Sequence, residues 1–244
     1  MSRHDDRPGA AADLLARVHE ALELEPARTA ALLVDMHRGH LDPAVATEPV
    51  PADWAAAVVE RTRQLLATLR PLGVPVIHVV TVYRRLPGLG SESLHKAYAR
   101  ARREAARRLG LAEAEAGHNL EGSVQTEVMP ALGPEPGDYV IDTKKSYSAF
   151  YGTDLEILLR ALGVDTLLVL GVNTNTCVLN TTFDAVNRGY RAVVVSDCVA
   201  ARGGRELHRF ALDTIRRSLG WVLPAAEIEA RLHRAAAAAR RSTG

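Results

Sequence analysis

Gly171-Val172-Asn173-Thr174-Asn175-Thr176-Cys177-Val178 is the stretch on which the reading of this chain turns. It follows Thr166-Leu167-Leu168-Val169-Leu170, a short apolar and β-branched run of the kind that forms a buried strand. It precedes Leu179-Asn180-Thr181-Thr182-Phe183-Asp184-Ala185-Val186-Asn187-Arg188-Gly189, which reads as a helix closed by a glycine. Cys177 is therefore expected where strand, tight turn and helix start meet. Free N–H groups and the positive end of the helix dipole favour an anion there, so the thiol pKa is expected to fall. A buried, inert cysteine is the competing reading of a lone Cys.

Outward from this stretch, strands and helices alternate. Residues 10–24 suit a short amphipathic helix with Leu14, Leu15, Val18 and Leu22 on one face, ended by Pro26. Thr29-Ala30-Ala31-Leu32-Leu33-Val34 reads as a strand with Asp35 at its carboxyl end. Residues 36–53 form a loop, and Asp53 is placed to cap a helix running to about Arg70. Further strands are expected at Val76–Val80, Tyr139–Asp142, Arg191–Ser196 and Trp221–Leu223. Helices are expected over 93–109, 155–162, 206–219 and 225–240. The mixed segment 110–137 suits a pocket wall or a subunit contact. This alternation implies a mostly parallel sheet covered by helices on both faces. The expected organisation is a helical extension over 1–28, a main domain over 29–225, and a terminal helix and tail over 226–244.

Composition removes several classes. The chain has 244 residues, 30 basic and 29 acidic, with a formal net charge of +1, so nothing favours nucleic acid or a membrane surface as partner. No apolar run reaches the length of a membrane span, and the first residues lack the apolar core of a signal peptide. Two cysteines, Cys177 and Cys198, are too few for a disulfide scaffold, and a reducing cytoplasm is the expected location. They form no Cys-x-x-Cys pair, which speaks against redox chemistry. The turn after the first strand lacks Gly-x-Gly-x-x-Gly, which speaks against a dinucleotide site.

In open parallel sheets, reactive groups gather beyond the carboxyl ends of the strands. Asp35, Lys144 and Cys177 each fall at, or just past, the carboxyl end of a different expected strand. Singly, Asp35 could be an N-cap, Lys144 a solvated lysine and Cys177 a core residue. Together, a carboxylate, an ammonium and a thiol suit acyl transfer: thiolate attack on a carbonyl, proton handling by the carboxylate and stabilisation of anions by the cation.

The sequence resembles the isochorismatase-like cysteine hydrolases over roughly residues 29–225. The resemblance is carried by Leu32-Leu33-Val34-Asp35-Met36, by Lys144 through Thr153, by Gly171 through Val178 with Thr182, Asp184 and Ala185, and by Val194 through Ala200. It implies a three-layer α/β/α sandwich around a sheet ordered 3-2-1-4-5-6. Carried over by residue, Cys177 resembles the nucleophile, Asp35 the proton carrier, and Lys144 rather than Lys145 the cation that steadies the thiolate. It also implies a cis Val172–Asn173 peptide and an oxyanion pair from the backbone N–H groups of Asn173 and Cys177.

Within the family, a cysteine rather than a glycine at position 177 argues for C–N hydrolysis through a thioester. The segment Thr81-Val82-Tyr83-Arg84-Arg85-Leu86-Pro87 lacks the Asp-x-His that resembles the nicotinamidase metal site, so a site without metal or cofactor is expected. His40 stands where nicotinamidases place a phenylalanine, which suits a polar substrate. Tyr147, Phe150, Tyr151, Asn175 and Thr176 are further candidates for the pocket lining. The expected activity is hydrolysis of a small amide, ureido or lactam substrate by a homodimer or homotetramer. A nicotinamidase-like aromatic amide hydrolase and a non-catalytic assembly protein are the alternatives.

Overall fold

The computed structural model describes residues 10–87, 90–91, 97–110 and 118–242. Strands β1 (Thr29–Val34), β2 (Val76–Thr81), β3 (Tyr139–Lys144), β4 (Thr166–Val172), β5 (Arg191–Ala200) and β6 (Trp221–Leu223) form one sheet. Its order is β3-β2-β1-β4-β5-β6, and every pairing is parallel. This is the order that the family resemblance implies. A separate two-stranded ribbon joins Arg85–Leu86 to Gly90–Ser91.

The longer helices are α1 (Ala10–Glu20), α2 (Ala52–Leu69), α3 (Ala97–Arg108), α4 (Leu155–Ala161), α5 (Leu179–Asn187), α6 (Arg205–Ser218) and α7 (Ala225–Ser242), and a single helical turn, Arg38–Leu41, lies within the expected loop after β1. In α2 the buried positions are Ala55, Val58, Val59, Thr62, Leu65, Leu66 and Leu69, a helical-period stripe laid on the sheet. Alternate strand residues face opposite layers. Ala31, Leu33, Leu168, Leu170, Val193 and Val195 pack with α2 and α7. Ala30, Leu32, Leu167, Val169, Ala192 and Val194 pack with α4, α5 and α6. Central β1 is buried at every position, as a strand covered on both faces must be.

Several elements depart from expectation. α1 ends at Glu20 instead of 24, and Leu14 and Val18 on its apolar stripe are exposed. Leu22 and Leu24, just beyond it, enter the core instead. The N-cap of α2 is Pro51, with Asp53 inside the first turn. β2 runs on to Thr81 and β3 to Lys144, so both contribute their last residue to the sheet. β5 continues to Ala200. The part of the expected helix over 93–109 that covers 93–96 lies outside the described residues. Among the described residues, no helix is long and apolar enough to cross a membrane.

Candidate active site

Asp35 follows β1 directly and adopts a left-handed backbone, φ 55°, a conformation that Asp tolerates better than most residues. Its N–H donates to the Val79 carbonyl at 2.8 Å, which ties the turn to β2. Next to it, Gly171 of β4 lies so close to β1 that a Cβ there would sit 2.0 Å from the Val34 carbonyl oxygen. Only glycine lets these two strand ends close up. After β4, the Val172–Asn173 peptide is cis, as the resemblance implies. The chain then forms a π-helical turn, Thr174–Val178, that feeds α5. Cys177 lies inside this wide turn, not at a free helix start as the sequence suggested. Such turns recur at functional sites because they re-aim side chains.

The structure brings Asp35, Lys144 and Cys177 together. Lys144 Nζ lies 2.6 Å from Asp35 Oδ2, 2.7 Å from Thr81 Oγ1 and 3.4 Å from Cys177 Sγ. An ammonium has three protons to donate, and each finds an acceptor, which is how a fully buried lysine keeps its charge. Asp35 Oδ1 in turn accepts from the Thr81 N–H at 2.9 Å and the Thr81 hydroxyl at 2.8 Å. Thr81 belongs to this network, and sequence reasoning missed it.

Burial alone would push the Asp35 carboxyl up, but the Lys144 ammonium overrides it and holds the group far below the usual carboxylate range. Burial likewise disfavours the Lys144 ammonium, and Asp35 and Cys177 more than compensate. The thiol behaves differently from expectation. Burial raises Cys177 to about 11, against the lowering pull of Lys144. This direction is opposite to the depressed thiol pKa expected from the dipole, because desolvation outweighs the Lys144 ammonium. The resting centre is a carboxylate, an ammonium and a protonated thiol.

Behind Asp35 stand three imidazoles. His37 and His40 stack at 4.9 Å between centroids, and His40 and His118 lie 5.0 Å apart. Burial lowers the pKa of all three, that of His118 to about 3, so they are uncharged at neutral pH. His37 Nδ1 accepts from the Gly39 N–H, which leaves the ring proton on Nε2, 3.8 Å from Asp35 Oδ1. His37 and His40 are stacked, His118 is tilted at 58° to His40, and the Asn119 side-chain amide lies 3.4 Å from His37 Nε2 and 3.0 Å from His118 Nε2. Among the described residues, no group of three His, Cys, Asp or Glu side chains is arranged to hold a metal ion.

The other candidates separate. His40 is buried in this stack, with its Nδ1 3.0 Å from the Glu48 carbonyl oxygen. Asn173 is buried, and its Oδ1 accepts from the Arg202 N–H at 2.8 Å. Asn175 and Thr176 lie in the π-turn, and the Asn175 amide oxygen is buried without a partner. Tyr147 and Tyr151 are largely exposed. Phe150 is buried against Tyr190 and under the Arg188 guanidinium, so its ring is taken up in packing. Tyr83, absent from the sequence-based set, feels the charges of Lys144, Cys177 and Asp35, and burial raises its phenol pKa. A cleft of about 620 Å³ lies along β2 and β3, lined by Val80, Arg84, Glu127, Pro134 and Asp142 but by none of Asp35, Lys144 and Cys177. Residues 121–134 supply one wall of it.

Fold and centre together define a class: a layered parallel-sheet protein with a thiol, a carboxylate and an ammonium gathered at its strand ends. The isochorismatase domain family matches residues 29–227. Ureidoacrylate amidohydrolase RutB of Methylobacterium radiotolerans is 34% identical over 221 residues, covering 87% of this chain and 83% of that protein. A cysteine hydrolase from Pseudomonas syringae pv. phaseolicola superposes with a TM-score of 0.70 at 28% identity, covering 88% of this chain and 96% of the other. N-carbamoylsarcosine amidase from Thermoplasma acidophilum does so with a TM-score of 0.61 at 30% identity, covering 81% and 96%. The chain belongs to the isochorismatase-like cysteine hydrolase family.

Proposed function

We propose that this protein is an amidohydrolase that cleaves a C–N bond of a small ureido or amide substrate through a thioester on Cys177. The named relatives, an amidohydrolase of ureidoacrylate and an amidase of N-carbamoylsarcosine, support hydrolysis of a ureido or amide C–N bond. The observation that carries the finer reading is the single ammonium, Lys144, touching both Asp35 and Cys177 in a buried centre.

In the proposed cycle, substrate brings its carbonyl carbon to Cys177 Sγ. The S–H proton passes to Asp35 as the S–C bond forms, and the carbonyl electron pair moves onto oxygen. The backbone N–H groups of Asn173 and Cys177 hold that oxyanion. The tetrahedral centre collapses, the C–N bond breaks, and the leaving nitrogen takes the proton from Asp35. Water then adds to the thioester and gives a proton to Asp35. The second collapse breaks the S–C bond, and the sulfur recovers its proton. Attack on a ureido carbonyl releases one nitrogen and leaves the other on the enzyme as a carbamoyl thioester. Because the resting thiol is neutral, Asp35 must take its proton during attack, and Lys144 keeps the nascent thiolate from going unpaired. Asn175, Thr176, Tyr147, Tyr151 and His40 are the proposed lining, with the partnerless Asn175 oxygen suited to a substrate N–H.

The test is a panel of ureidoacrylate-like ureas, N-carbamoyl amino acids, primary amides and lactams, read by released ammonia or ring opening. Turnover of a ureido or carbamoyl compound is expected, abolished in Cys177→Ala and kept in Cys198→Ala. Equal loss in both variants would contradict the assignment.

A further inference from the structure

Resting on the reading of Asp35 as proton carrier, we infer that Thr81 is a positioning residue of this centre, whose hydroxyl locks the carboxylate so that Oδ2 alone does the proton work. The directions of its hydrogen bonds are forced. Lys144 can only donate, so Thr81 Oγ1, 2.7 Å from Nζ, accepts there. The one hydroxyl proton is then left for Asp35 Oδ1, 2.8 Å away. The Thr81 N–H adds a second bond to the same oxygen at 2.9 Å. Oδ1 is thus held twice by one residue, and rotating the carboxylate out of this plane would break both bonds. Oδ2 receives Lys144 at 2.6 Å and keeps lone-pair capacity for a second donor.

The backbone delivers this arrangement. The β2–β3 register shifts between Val79 and Thr81, which sets Thr81 opposite Lys144 on the neighbouring strand. In-register neighbours of parallel strands present their side chains to the same face. Among the described residues, the charged and titratable groups that interact with Asp35 include Lys144 from β3, Cys177 from the π-turn, His37 and His40 from the segment after β1, His118, and Tyr83 beyond β2. Valine has the shape of threonine, so packing alone does not require a hydroxyl here.

The experiment is ammonia release from a ureido or carbamoyl substrate by the full-length protein, from about pH 6 to about pH 10, in wild type, Thr81→Val, Thr81→Ser and Asp35→Asn. Near neutral pH, Thr81→Val and Asp35→Asn are expected to slow turnover about tenfold or more, and Thr81→Ser to restore it within about twofold. The gap is expected to close as pH rises, because hydroxide then removes the thiol proton without Asp35. In turnover, Thr81→Val lowers kcat about tenfold and leaves KM nearly unchanged. A Thr81→Val rate equal to wild type beside a slow Asp35→Asn overturns the role of Thr81 alone. So does a deficit that persists at all pH, or that serine fails to repair, since a packing defect would behave that way. Equal rates in Asp35→Asn and wild type remove the proposed acid–base role of Asp35, and that of Thr81 with it.

Discussion

At the scale of residues, the centre is governed by what burial does to charge. Lys144 and Asp35 are both inaccessible to solvent, and each is tolerable only because of the other. Replacing Lys144 with Met strands a buried carboxylate and should cost about 3–5 kcal/mol in urea unfolding. Adding Asp35→Leu to that variant should return much of the loss while leaving turnover absent. The thiol gives a pH signature. Its folded pKa, about 11, lies above the value of about 8.5 for an unfolded cysteine. The folded state therefore holds the proton more tightly, and this contribution is complete below about pH 8.5 and lost as pH rises through the folded value. Thermal unfolding of wild type should decline more steeply across that window than Cys177→Ala, and parallel curves would contradict the assigned burial. Asp35, Lys144 and Cys177 were legible as residues because each falls at, or just past, the carboxyl end of an apolar run. Thr81 was not, because Val80 looked like the end of β2 and a threonine in a loop has no distinguishing chemistry. Its partner became visible only through the β2–β3 register.

At the scale of elements, two close approaches build the site. Gly171 combines a left-handed φ of 119° with a backbone oxygen 2.0 Å from where its Cβ would stand. Gly171→Ala should destabilise by at least about 2 kcal/mol, since neither backbone can yield without shifting Asp35 or Asn173. Gly163→Ala is the control. Its φ is 67°, and nothing lies within 4 Å of the new methyl, so about 1 kcal/mol is expected. Comparable losses in the two variants, measured by denaturant unfolding, would argue against the tight β1–β4 contact. Strand and helix identities were readable because continuous apolar runs mark strands buried on both faces and the helical pattern is strong in α2. The π-turn was not readable, since Asn173-Thr174-Asn175-Thr176 carries turn-forming side chains that fit several geometries equally well. The neutral thiol escaped the sequence for a related reason: a helix dipole can be inferred from position, but desolvation depends on what closes over the sulfur.

At the scale of the molecule, the parallel sheet converts five crossovers into one shared edge where the reactive groups meet. The alternation of elements gave the layers, and the order of strands came with the family resemblance, because periodicity alone does not say which strands are neighbours. The N-terminal segment is fastened to its own chain. Trp221 Nε1 donates to the Val18 carbonyl, and Arg231 donates to the His19 and Leu22 carbonyls. Leu22 and Leu24 are buried in the α2–α7 layer. Removing residues through Glu20 should therefore cost little, about 1 kcal/mol. Removing the chain through Leu24 should cost several kcal/mol more, as buried leucines leave the core. Equal melting temperatures for the two truncations would show that these leucines do not support the fold.

The most direct measurement of the central claim is the mass of Cys177 during turnover. Enzyme mixed with a ureido or carbamoyl substrate is quenched in acid and digested, and the peptide carrying Cys177 is weighed. The account predicts that this peptide gains the mass of the substrate's acyl or carbamoyl group, that the gain vanishes in Asp35→Asn, and that Cys198 stays unmodified. Steady turnover with an unmodified Cys177, and undiminished in Cys177→Ala, would contradict it.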